Sequence, residues 1–514
     1  MKSKILKDKI LIASPFIVKY LFFLVFVDWG VFNSEDFLED LIFLGIIFLL
    51  VHLPIFQNKW LKNILLIAYV FYFILETTSY LAVSSTFSSS YMYLLIDAGS
   101  EELKEFAGGY FNWETFLVFT IYILLFFKIR QHKYLLKIKY INWIGIGVSV
   151  FILLGLKYTG LIESNAYHNA VRGTYGYYSL QKNMKLATSI DRKNIEISSE
   201  NEVMVLVLGE STDRNHMQLY GYGRETTPKL NSIKDDLLVF DNVISTEVFT
   251  LKAMPKIITT LNSEDKSEDL IDVVNLFKSA GFDTYWLSNQ RPISYHDNAI
   301  SKIASQADEF KFYNHQVDRD AESVDEVLLP DYKRILDKPG KKLIVLRLIG
   351  THFDYDKRYP ENFNAFCRQE AKSKKEKLEN EFDNAILYND FIVHEIIEAL
   401  KKRDDKSAML YVPDHGENIY DEGTDFFGRS EEIITKSMFT IPFIFWKSNN
   451  FELPEDFVYK PSRPFTADYT LESLGHIFGI QHKSMKNSES IFSNAFIPKK
   501  RMITGGRDFD NLYK

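Results

Sequence analysis

The stretch Val203-Met-Val-Leu-Val-Leu208 is a short, unbroken apolar run rich in β-branched residues. An apolar run without alternation is typical of a strand buried on both faces, as in a parallel sheet. Polar residues follow at once, in Gly209-Glu210-Ser211-Thr212. In open α/β sheets the functional site forms outside the carboxyl ends of the strands. The stretch therefore predicts a class of fold and also where its chemistry lies.

Similar runs and helical patterns alternate along the rest of the chain. The runs are 237–243, 284–287, 342–348, 408–412 and 441–446, and the helical patterns are 271–280, 325–336, 376–403 and 469–478. This alternation indicates a mostly parallel sheet flanked by helices. We therefore expect residues 201–514 to form an α/β domain.

The first third of the chain contains five long apolar stretches. They run over 10–32, 38–56, 62–83, 112–128 and 141–162. A helix needs about 20 apolar residues to cross a bilayer, and most of the five approach that length. We therefore expect residues 1–162 to form a five-helix transmembrane domain and 163–200 to be a linker.

The loops between these stretches alternate in charge. The segments 2–9, 59–62 and 128–139 are basic, whereas those around 28–36 and 97–105 are acidic. Lys and Arg concentrate in cytoplasmic loops. This pattern predicts a cytoplasmic N-terminus and an α/β domain outside the cytoplasm.

Some features of the membrane third leave alternatives open. Lys19 and Glu76 lie inside or near apolar stretches. Each either contacts a lipid headgroup or extends to the interface, and the second interpretation is favoured for Lys19. The loop at 84–114 either lies on the membrane surface or is a solvated connector.

Composition excludes several classes of function. The net charge of -8 gives no reason to expect nucleic acid as a partner. Cys367 is the single cysteine, so an intrachain disulfide and a zinc site built on thiolates are both excluded.

Glu210 and the pair Asp414-His415 are candidate metal ligands, because each follows a predicted strand. Carboxylates and imidazole bind zinc and similar divalent ions, and Gly416 allows a tight turn that directs two side chains to one point. A glutamate after a strand is also common as a charge at a helix N-terminus. The spacing alone leaves both interpretations open.

Thr250 ends the polar segment that follows 237–243 and precedes a predicted short helix at 251–258. A metal beside a hydroxyl lowers the pKa of that hydroxyl and neutralises phosphoryl charge, and a helix start attracts anions. A threonine here is also a common N-cap. The local pattern alone favours the N-cap.

The motifs at the strand ends resemble those of the phosphoethanolamine transferases, which belong to the sulfatase and alkaline phosphatase superfamily. The most specific motif is Gly221-Tyr-Gly-Arg-Glu-Thr-Thr-Pro228, within 208–230. Pro413-Asp-His-Gly-Glu417 and the segments 241–250 and 350–360 match further motifs. The five-helix anchor also fits, so the resemblance covers essentially the whole chain.

The resemblance implies a metal-dependent transfer of phosphoethanolamine from phosphatidylethanolamine to a surface glycolipid, at the periplasmic face of a bacterial inner membrane. Thr250 is then the nucleophile and carries the group covalently. The zinc ligands carried over are Glu210, Thr250, Asp414 and His415, and the substrate contacts carried over are His352, Glu417 and Asn289.

Two departures from the members that modify lipid A bear on the acceptor and on the metal. Those members have several disulfides and a histidine before a late aspartate, whereas this chain has one cysteine and Ala467 before Asp468. His476, further along, is favoured as an ordinary helix residue. We therefore expect one zinc site rather than two, and we favour inner-core heptose of lipopolysaccharide over lipid A.

Two other functions are alternatives. A glycerol phosphate transferase of the lipoteichoic acid synthase kind shares the five spans and the threonine chemistry but uses phosphatidylglycerol. Arg224-Glu-Thr-Thr-Pro228 favours phosphoethanolamine. A non-catalytic membrane scaffold would keep the fold, but the candidate metal ligands and Thr250 are intact.

Overall fold

The structure is a computed structural model, and the chain divides into two compact units, Met1–Ser179 and Leu180–Lys514. The described residues are 2–27, 29, 32–83, 86–87, 91–92, 95–96, 113–131, 141–183, 186, 190–263, 270–290, 299–313, 324–367 and 370–514. Most of the loop at 84–114 lies outside them. We keep the division into 1–162, 163–200 and 201–514 as a proposal.

The N-terminal unit is helical. Its helices are α1 (Lys2–Phe26), α2 (Ser34–Val51), α3 (Lys59–Val83), α4 (Trp113–Arg130), α5 (Ile141–Thr159) and α6 (Ala166–Asn183). Helices α1 to α5 coincide with the five apolar stretches. Helix α6 lies in the expected linker, where polar and aromatic residues show no clear period.

Three helices in the described part of this unit are long and apolar enough to cross a membrane. The windows are Lys9–Phe26, Lys59–Ala82 and Asn142–Thr159. Helices α2 and α4 have 18 residues each but carry more charge, with acidic residues in the first turn of α2 and basic ones in the last turn of α4. Length and composition therefore single out α1, α3 and α5.

Lys19 is the centre of a buried ion cluster that joins α1, α2 and α3. Its Nζ lies 2.9 Å from Asp36, 2.5 Å from Asp40 and 3.4 Å from Glu76. Lys19 is 1 % exposed, and Glu76 is fully buried. Neither side chain extends to the interface or contacts a headgroup in this arrangement, so both sequence interpretations were wrong. Buried charges require partners, and these residues supply them to one another.

The C-terminal unit is built on a central sheet. Seven strands of its described part lie in the order β3, β11, β8, β2, β7, β5, β6. The strands of the unit are β1 (Ile195–Ile197), β2 (Val203–Gly209), β3 (Leu237–Phe240), β4 (Val243–Ile244), β5 (Asp283–Ser288), β6 (Glu309–Phe312), β7 (Lys342–Arg347), β8 (Ser407–Pro413), β9 (Asn418–Ile419), β10 (Phe427–Gly428), β11 (Phe443–Lys447), β12 (Phe465–Thr466), β13 (Ile480–His482), β14 (Met502–Ile503) and β15 (Arg507–Asp508). Strands β8, β2, β7, β5 and β6 are parallel, and β11 runs antiparallel to β8 and β3.

Helices cover both faces of this sheet. The α-helices of the unit are α7 (Pro228–Ser232), α8 (Thr250–Ile258), α9 (Val273–Ser279), α10 (Ala299–Ala304), α11 (Leu329–Leu336), α12 (Lys374–Lys401), α13 (Thr470–Ile477) and α14 (Phe509–Leu512). The even positions of β2 share a core with residues of α8, α9 and α13, and its odd positions share another with α11 and α12. Strand β2 is thus buried on both faces, as its unbroken apolar run predicts.

The predicted run 237–243 is two strands rather than one. Strand β3 ends at Phe240, and β4 then pairs in parallel with β12, with Val243 opposite Phe465. The change of partner leads the chain out of the main sheet. It delivers the segment before Thr250 to the same edge at which β2 and β8 end.

Candidate active site

Strand register brings the first two candidate ligands together. In the parallel pair β2 and β8, Gly209 lies opposite Pro413. The next residues, Glu210 and Asp414, therefore leave the sheet side by side. Glu210, Asp414 and His415 are all buried.

Thr250 completes this cluster from a different element. Its Oγ1 donates to Glu210 Oε1 at 3.0 Å and lies 3.4 Å from His415 Nε2. His415 Nε2 is in turn 3.3 Å from Asp414 Oδ2. The structure thus assembles the four predicted metal ligands at one point.

The Thr250 hydroxyl does not cap a helix. Helix α8 begins at Thr250 itself, and its N-cap residue is Phe249. The N-cap interpretation, favoured from the local pattern, was wrong. The hydroxyl instead faces Glu210 and His415, and it sits at a helix N-terminus, where the peptide dipoles favour negative charge.

The donor set fits a divalent metal. The ligand atoms of Glu210, Asp414 and His415 lie within 4.8 Å of one another. Among the described residues, the buried Asp414 Oδ2 has no hydrogen-bond partner. His415 Nδ1 lies 2.8 Å from the Gly416 carbonyl oxygen, which assigns the proton to Nδ1 and leaves the Nε2 lone pair facing the cluster. Two carboxylates and an imidazole are a set that zinc accepts.

The pKa shifts of His415 and Glu210 also favour a metal between these side chains. Burial, together with Arg429, lowers the pKa of His415 to about 3, so the imidazole is neutral and able to coordinate. Burial and the adjacent Asp414 raise the pKa of Glu210. Neighbouring buried carboxylates resist ionising together. A cation between them removes that penalty.

The chain is similar in sequence and structure to known enzymes. Residues 202–467, more than half of the chain, match the sulfatase family. Phosphoethanolamine transferase EptC of Escherichia coli K12 is 28 % identical over 87 % of each chain, and phosphoethanolamine transferase CptA of Salmonella typhimurium is 28 % identical over 82 % of this chain and 81 % of that one. The crystal structure of the C-terminal periplasmic domain of E. coli EptC in complex with zinc is 30 % identical, with a TM-score of 0.58, and covers 62 % of this chain and 95 % of that one. The chain belongs to the phosphoethanolamine transferases of the sulfatase family.

The predicted fold class of this transferase is confirmed. The integral membrane protein lipooligosaccharide phosphoethanolamine transferase A of Neisseria meningitidis superposes with a TM-score of 0.70 over 94 % of this chain and 97 % of that one. The identity is 19 %, so the likeness concerns the fold alone. That fold is an N-terminal helical transmembrane domain and a C-terminal sulfatase-like α/β domain.

Two residues of the transferase position the candidate ligands, Ser211 by its backbone conformation and Gly416 by close packing. Ser211 has a positive φ of 54°, which is uncommon outside glycine and costs energy. In this conformation its N–H donates to Asp414 Oδ1 at 3.0 Å, and its hydroxyl donates to Glu210 Oε1 at 3.0 Å. A Cβ at Gly416 would lie 2.0 Å from the Ser437 carbonyl oxygen. Gly416 is therefore required for close packing beside His415.

Two of the three predicted substrate contacts, Glu417 and His352, lie beside the cluster. Glu417 is buried, and its Oε1 accepts from the Tyr355 hydroxyl at 3.1 Å. His352 interacts electrostatically with Glu210 and Glu417, so both predicted contacts belong to the cluster's surroundings.

Asn289 has a different environment from the one expected. Its amide donates to Asp325 Oδ1 at 2.9 Å. Asp325 also accepts from the backbone N–H groups of Ile349 and Gly350. Asn289 therefore braces the turn that carries His352, and a direct contact with substrate stays a prediction.

Sequence reasoning missed two residues that reach the cluster. Gln290 Nε2 lies 3.3 Å from Glu210 Oε2 and donates to the Leu348 carbonyl at 3.0 Å. Arg429 Nη1 lies 2.7 Å from His415 Nε2. Gln290 follows β5 at a strand end, so the signal that identified Asn289 also applied to it. Arg429 follows the two-residue strand β10, outside the central sheet, and no strand-end pattern marks it.

The late aspartate and histidine lie in different networks. Asp468 accepts from Thr246 Oγ1 at 2.7 Å and from Ser263 Oγ at 2.8 Å, so it holds the segment that leads to Thr250. His476 Nε2 is 2.8 Å from Asp456, and its Nδ1 is 3.0 Å from Ser490. These contacts agree with an ordinary helix residue.

A second group with metal-binding side chains contains Asp213, His216 and Asp421. Both ring nitrogens of His216 are engaged, Nδ1 with Asp383 at 2.8 Å and Nε2 with Asp421 at 3.2 Å. Burial opposes its charge, but these hydrogen bonds raise the pKa of His216 to about 10. The arrangement is that of a buried ion pair.

Proposed function

We propose that the transferase moves phosphoethanolamine from phosphatidylethanolamine to lipopolysaccharide and that Thr250 carries the group covalently. The observation that supports this most is the Thr250 hydroxyl, which lies 3.0 Å from Glu210 and 3.4 Å from His415 at a helix N-terminus. A hydroxyl becomes a competent nucleophile when a cation or base next to it favours loss of its proton. Glu210 and His415, which lie beside this hydroxyl, support that role.

The proposed cofactor is one zinc ion, held by Glu210, Asp414, His415 and Thr250. When bound, zinc lowers the pKa of a coordinated hydroxyl and neutralises charge on phosphoryl oxygens. The zinc complex of the EptC periplasmic domain supports this assignment. Ala467 provides no ligand for a second ion.

The first half of the reaction loads the enzyme. Thr250 Oγ1 forms a bond to the phosphorus of phosphatidylethanolamine, and the bond from phosphorus to the glycerol oxygen breaks. The threonine proton ends on that oxygen, so diacylglycerol leaves as the free alcohol. The N-terminus of α8, which begins at Thr250, favours the negative charge that develops.

The second half regenerates the enzyme. A hydroxyl or phosphate oxygen of the acceptor bonds to phosphorus, the bond from Thr250 to phosphorus breaks, and the acceptor's proton returns to the threonine. A cavity of about 480 Å³ lined by Leu251, Lys252 and Lys256, among others, adjoins the start of α8. This cavity is the proposed approach of the acceptor.

Inner-core heptose is the favoured acceptor over lipid A. The single cysteine and Ala467 support it, because both depart from the lipid A-modifying pattern. The phosphoethanolamine group passes from phosphatidylethanolamine to lipopolysaccharide, and both are membrane lipids. Confining the enzyme to the membrane therefore raises the effective concentration of both substrates.

The proposed location is a bacterial inner membrane, with five spans, a cytoplasmic N-terminus and a periplasmic catalytic domain. The alternation of basic and acidic loops along 2–139 supports this orientation. The periplasmic domain of EptC occupies the same part of its own chain.

Headgroup labelling tests the proposal. Full-length protein in nanodiscs receives either phosphatidylethanolamine or phosphatidylglycerol, and peptides that contain Thr250 are weighed by mass spectrometry. A phosphoethanolamine adduct on Thr250 is expected. A glycerol phosphate adduct would support the lipoteichoic acid synthase alternative, and no adduct with either lipid would support a scaffold. Mass spectrometry of lipid A and core from cells with and without the gene identifies the acceptor.

A further inference from the structure

Arg429 is a cation buried in the candidate active site. Its side chain is 12 % exposed. Nη1 lies 2.7 Å from His415 Nε2 and 3.7 Å from Glu210 Oε1, and Nε lies 3.4 Å from Glu417 Oε2. The guanidinium thus faces two of the candidate zinc ligands directly.

A metal bound to His415 would replace the contact between Arg429 and His415. Since His415 Nδ1 donates to the Gly416 carbonyl, its Nε2 is the acceptor for the Arg429 N–H. A metal held by His415 takes that same lone pair. The Nη1 donor is then released while remaining beside the cluster. A guanidinium has no acceptor of its own, so the released donor needs an acceptor, and an anion gives the stronger, charge-assisted hydrogen bond.

Glu417 keeps the guanidinium in place. It accepts from the Tyr355 hydroxyl at 3.1 Å on one oxygen and lies beside Arg429 Nε with the other. Glu417 therefore acts through Arg429 as a positioning residue. The Nη1 atom of Arg429 therefore faces the cluster, as the Thr250 hydroxyl does.

The charge of Arg429 allows an anion to approach this cluster. Glu210, Asp414 and Glu417 are the carboxylates around this point, Arg429 is the guanidinium, and a divalent ion makes the formal sum zero. A phosphodiester brings one further negative charge. Without Arg429 the site would already be negative before that anion arrives, and repulsion between like charges would oppose binding.

We propose that Arg429 is a catalytic residue that donates hydrogen bonds to the non-bridging phosphoryl oxygens of the lipid donor and of the phosphothreonine. The inference rests on the proposed function and extends it. The planar fork of a guanidinium matches two phosphate oxygens at once. Charge-assisted donors of this kind also stabilise the charge that develops during phosphoryl transfer.

The test uses full-length, zinc-loaded protein in nanodiscs with Arg429→Gln, Arg429→Lys and the control Arg334→Gln. Arg334 is an exposed surface residue that pairs with Glu309. Inorganic phosphate binding is measured by calorimetry, and zinc per chain by atomic emission. We expect Arg429→Gln to retain zinc but to bind phosphate roughly 10- to 100-fold more weakly. Arg429→Lys is expected to fall between this variant and the wild type, because it restores the charge without the fork. The control matches the wild type.

A second measurement follows the loading of Thr250 in a single turnover, read by mass spectrometry. Its rate is expected to fall roughly 100- to 1,000-fold in Arg429→Gln. Unchanged phosphate affinity and loading rate would overturn the inference, and so would loss of zinc, which makes Arg429 a support of the ligands. Absence of any adduct in the wild type is a different result, because it removes the proposed function itself.

Discussion

The hydroxyl of Thr250 donates to Glu210 Oε1 at 3.0 Å across a sequence separation of 40 residues. Glu210 follows the central strand β2, and Thr250 begins α8, whose residues share a buried core with β2. Two rigid elements therefore hold the pair in place.

Replacing Thr250 by valine tests the nucleophile, because the substitution keeps the shape of the side chain and removes the hydroxyl. Transfer of phosphoethanolamine is expected to fall roughly a thousandfold or more, with little change in the thermal unfolding midpoint. Thr250→Ser is the matched control and is expected to keep measurable transfer. Wild-type transfer by Thr250→Val would contradict the assignment.

Removal of the metal is expected to lower stability as well as activity. A ligand present at 100 times its Kd stabilises the folded state by about 2.7 kcal/mol. Dialysis against a chelator is therefore expected to lower the unfolding midpoint and to abolish the Thr250 adduct. Zinc should restore both, whereas magnesium, which prefers octahedral oxygen ligands, should not. A midpoint indifferent to chelation and to zinc would speak against the site.

Gly416→Ala is expected to disrupt the turn that presents His415. The new Cβ would meet the Ser437 carbonyl oxygen at 2.0 Å, and backbone cannot move aside as a side chain can. We expect a loss of about 3 kcal/mol in the free energy of unfolding and weaker zinc binding. Gly223→Ala is the control, since a Cβ there meets nothing within 4 Å. Equal stability of the two variants, measured by denaturant unfolding, would refute the packing argument.

His216 makes stability depend on pH. The titratable groups around its imidazole are Asp383, Asp421, Asp213 and Tyr222. The pKa of His216 is raised from 6.5 to about 10. A group whose pKa is higher in the folded state than in the unfolded state stabilises the fold fully when the pH is below its unfolded-state pKa. This stabilisation is lost as the pH rises through its folded-state pKa. The contribution is therefore complete below pH 6.5 and disappears towards pH 10.

The measurement compares thermal unfolding of the wild type and His216→Gln between pH 6 and 10. The difference between the unfolding midpoints of the two proteins is expected to be largest at low pH and to shrink as pH rises. Burial raises the pKa of Asp213 to about 7, and this residue remains in both proteins. A gap that stays constant or widens with pH would show that His216 is not the titrating group.

Lys19→Met is expected to destabilise the membrane unit strongly. The substitution leaves Asp36, Asp40 and Glu76 buried without their shared cation. Removing one partner of a buried ion network costs about 3–5 kcal/mol. Lys59→Met, at the exposed start of α3, is the control. Unfolding midpoints in detergent decide the outcome, and equal midpoints for the two variants would show that the cluster contributes no stability.

The sequence by itself determined the class of fold and which polar residues follow its strands. Unbroken apolar runs specify strands buried on both faces, and the residues that follow parallel strands must meet at one edge. Glu210, Asp414 and His415 were candidate ligands for that reason, but their spacing alone left a metal site open, and the family resemblance favoured it. Thr250 was placed by resemblance, because its local pattern is that of a helix cap.

Only the tertiary structure decided which side chains complete the site. Arg429 reaches His415 from a loop after a two-residue strand, and nothing local in its sequence marks it. Asn289 and Gln290 are neighbours with similar amides, but the first binds Asp325 and the second reaches Glu210. Lys19 lies among three carboxylates of other helices rather than at an interface. Each of these contacts joins residues at least 14 positions apart that belong to different elements or loops, and such pairings are set by packing rather than by local pattern.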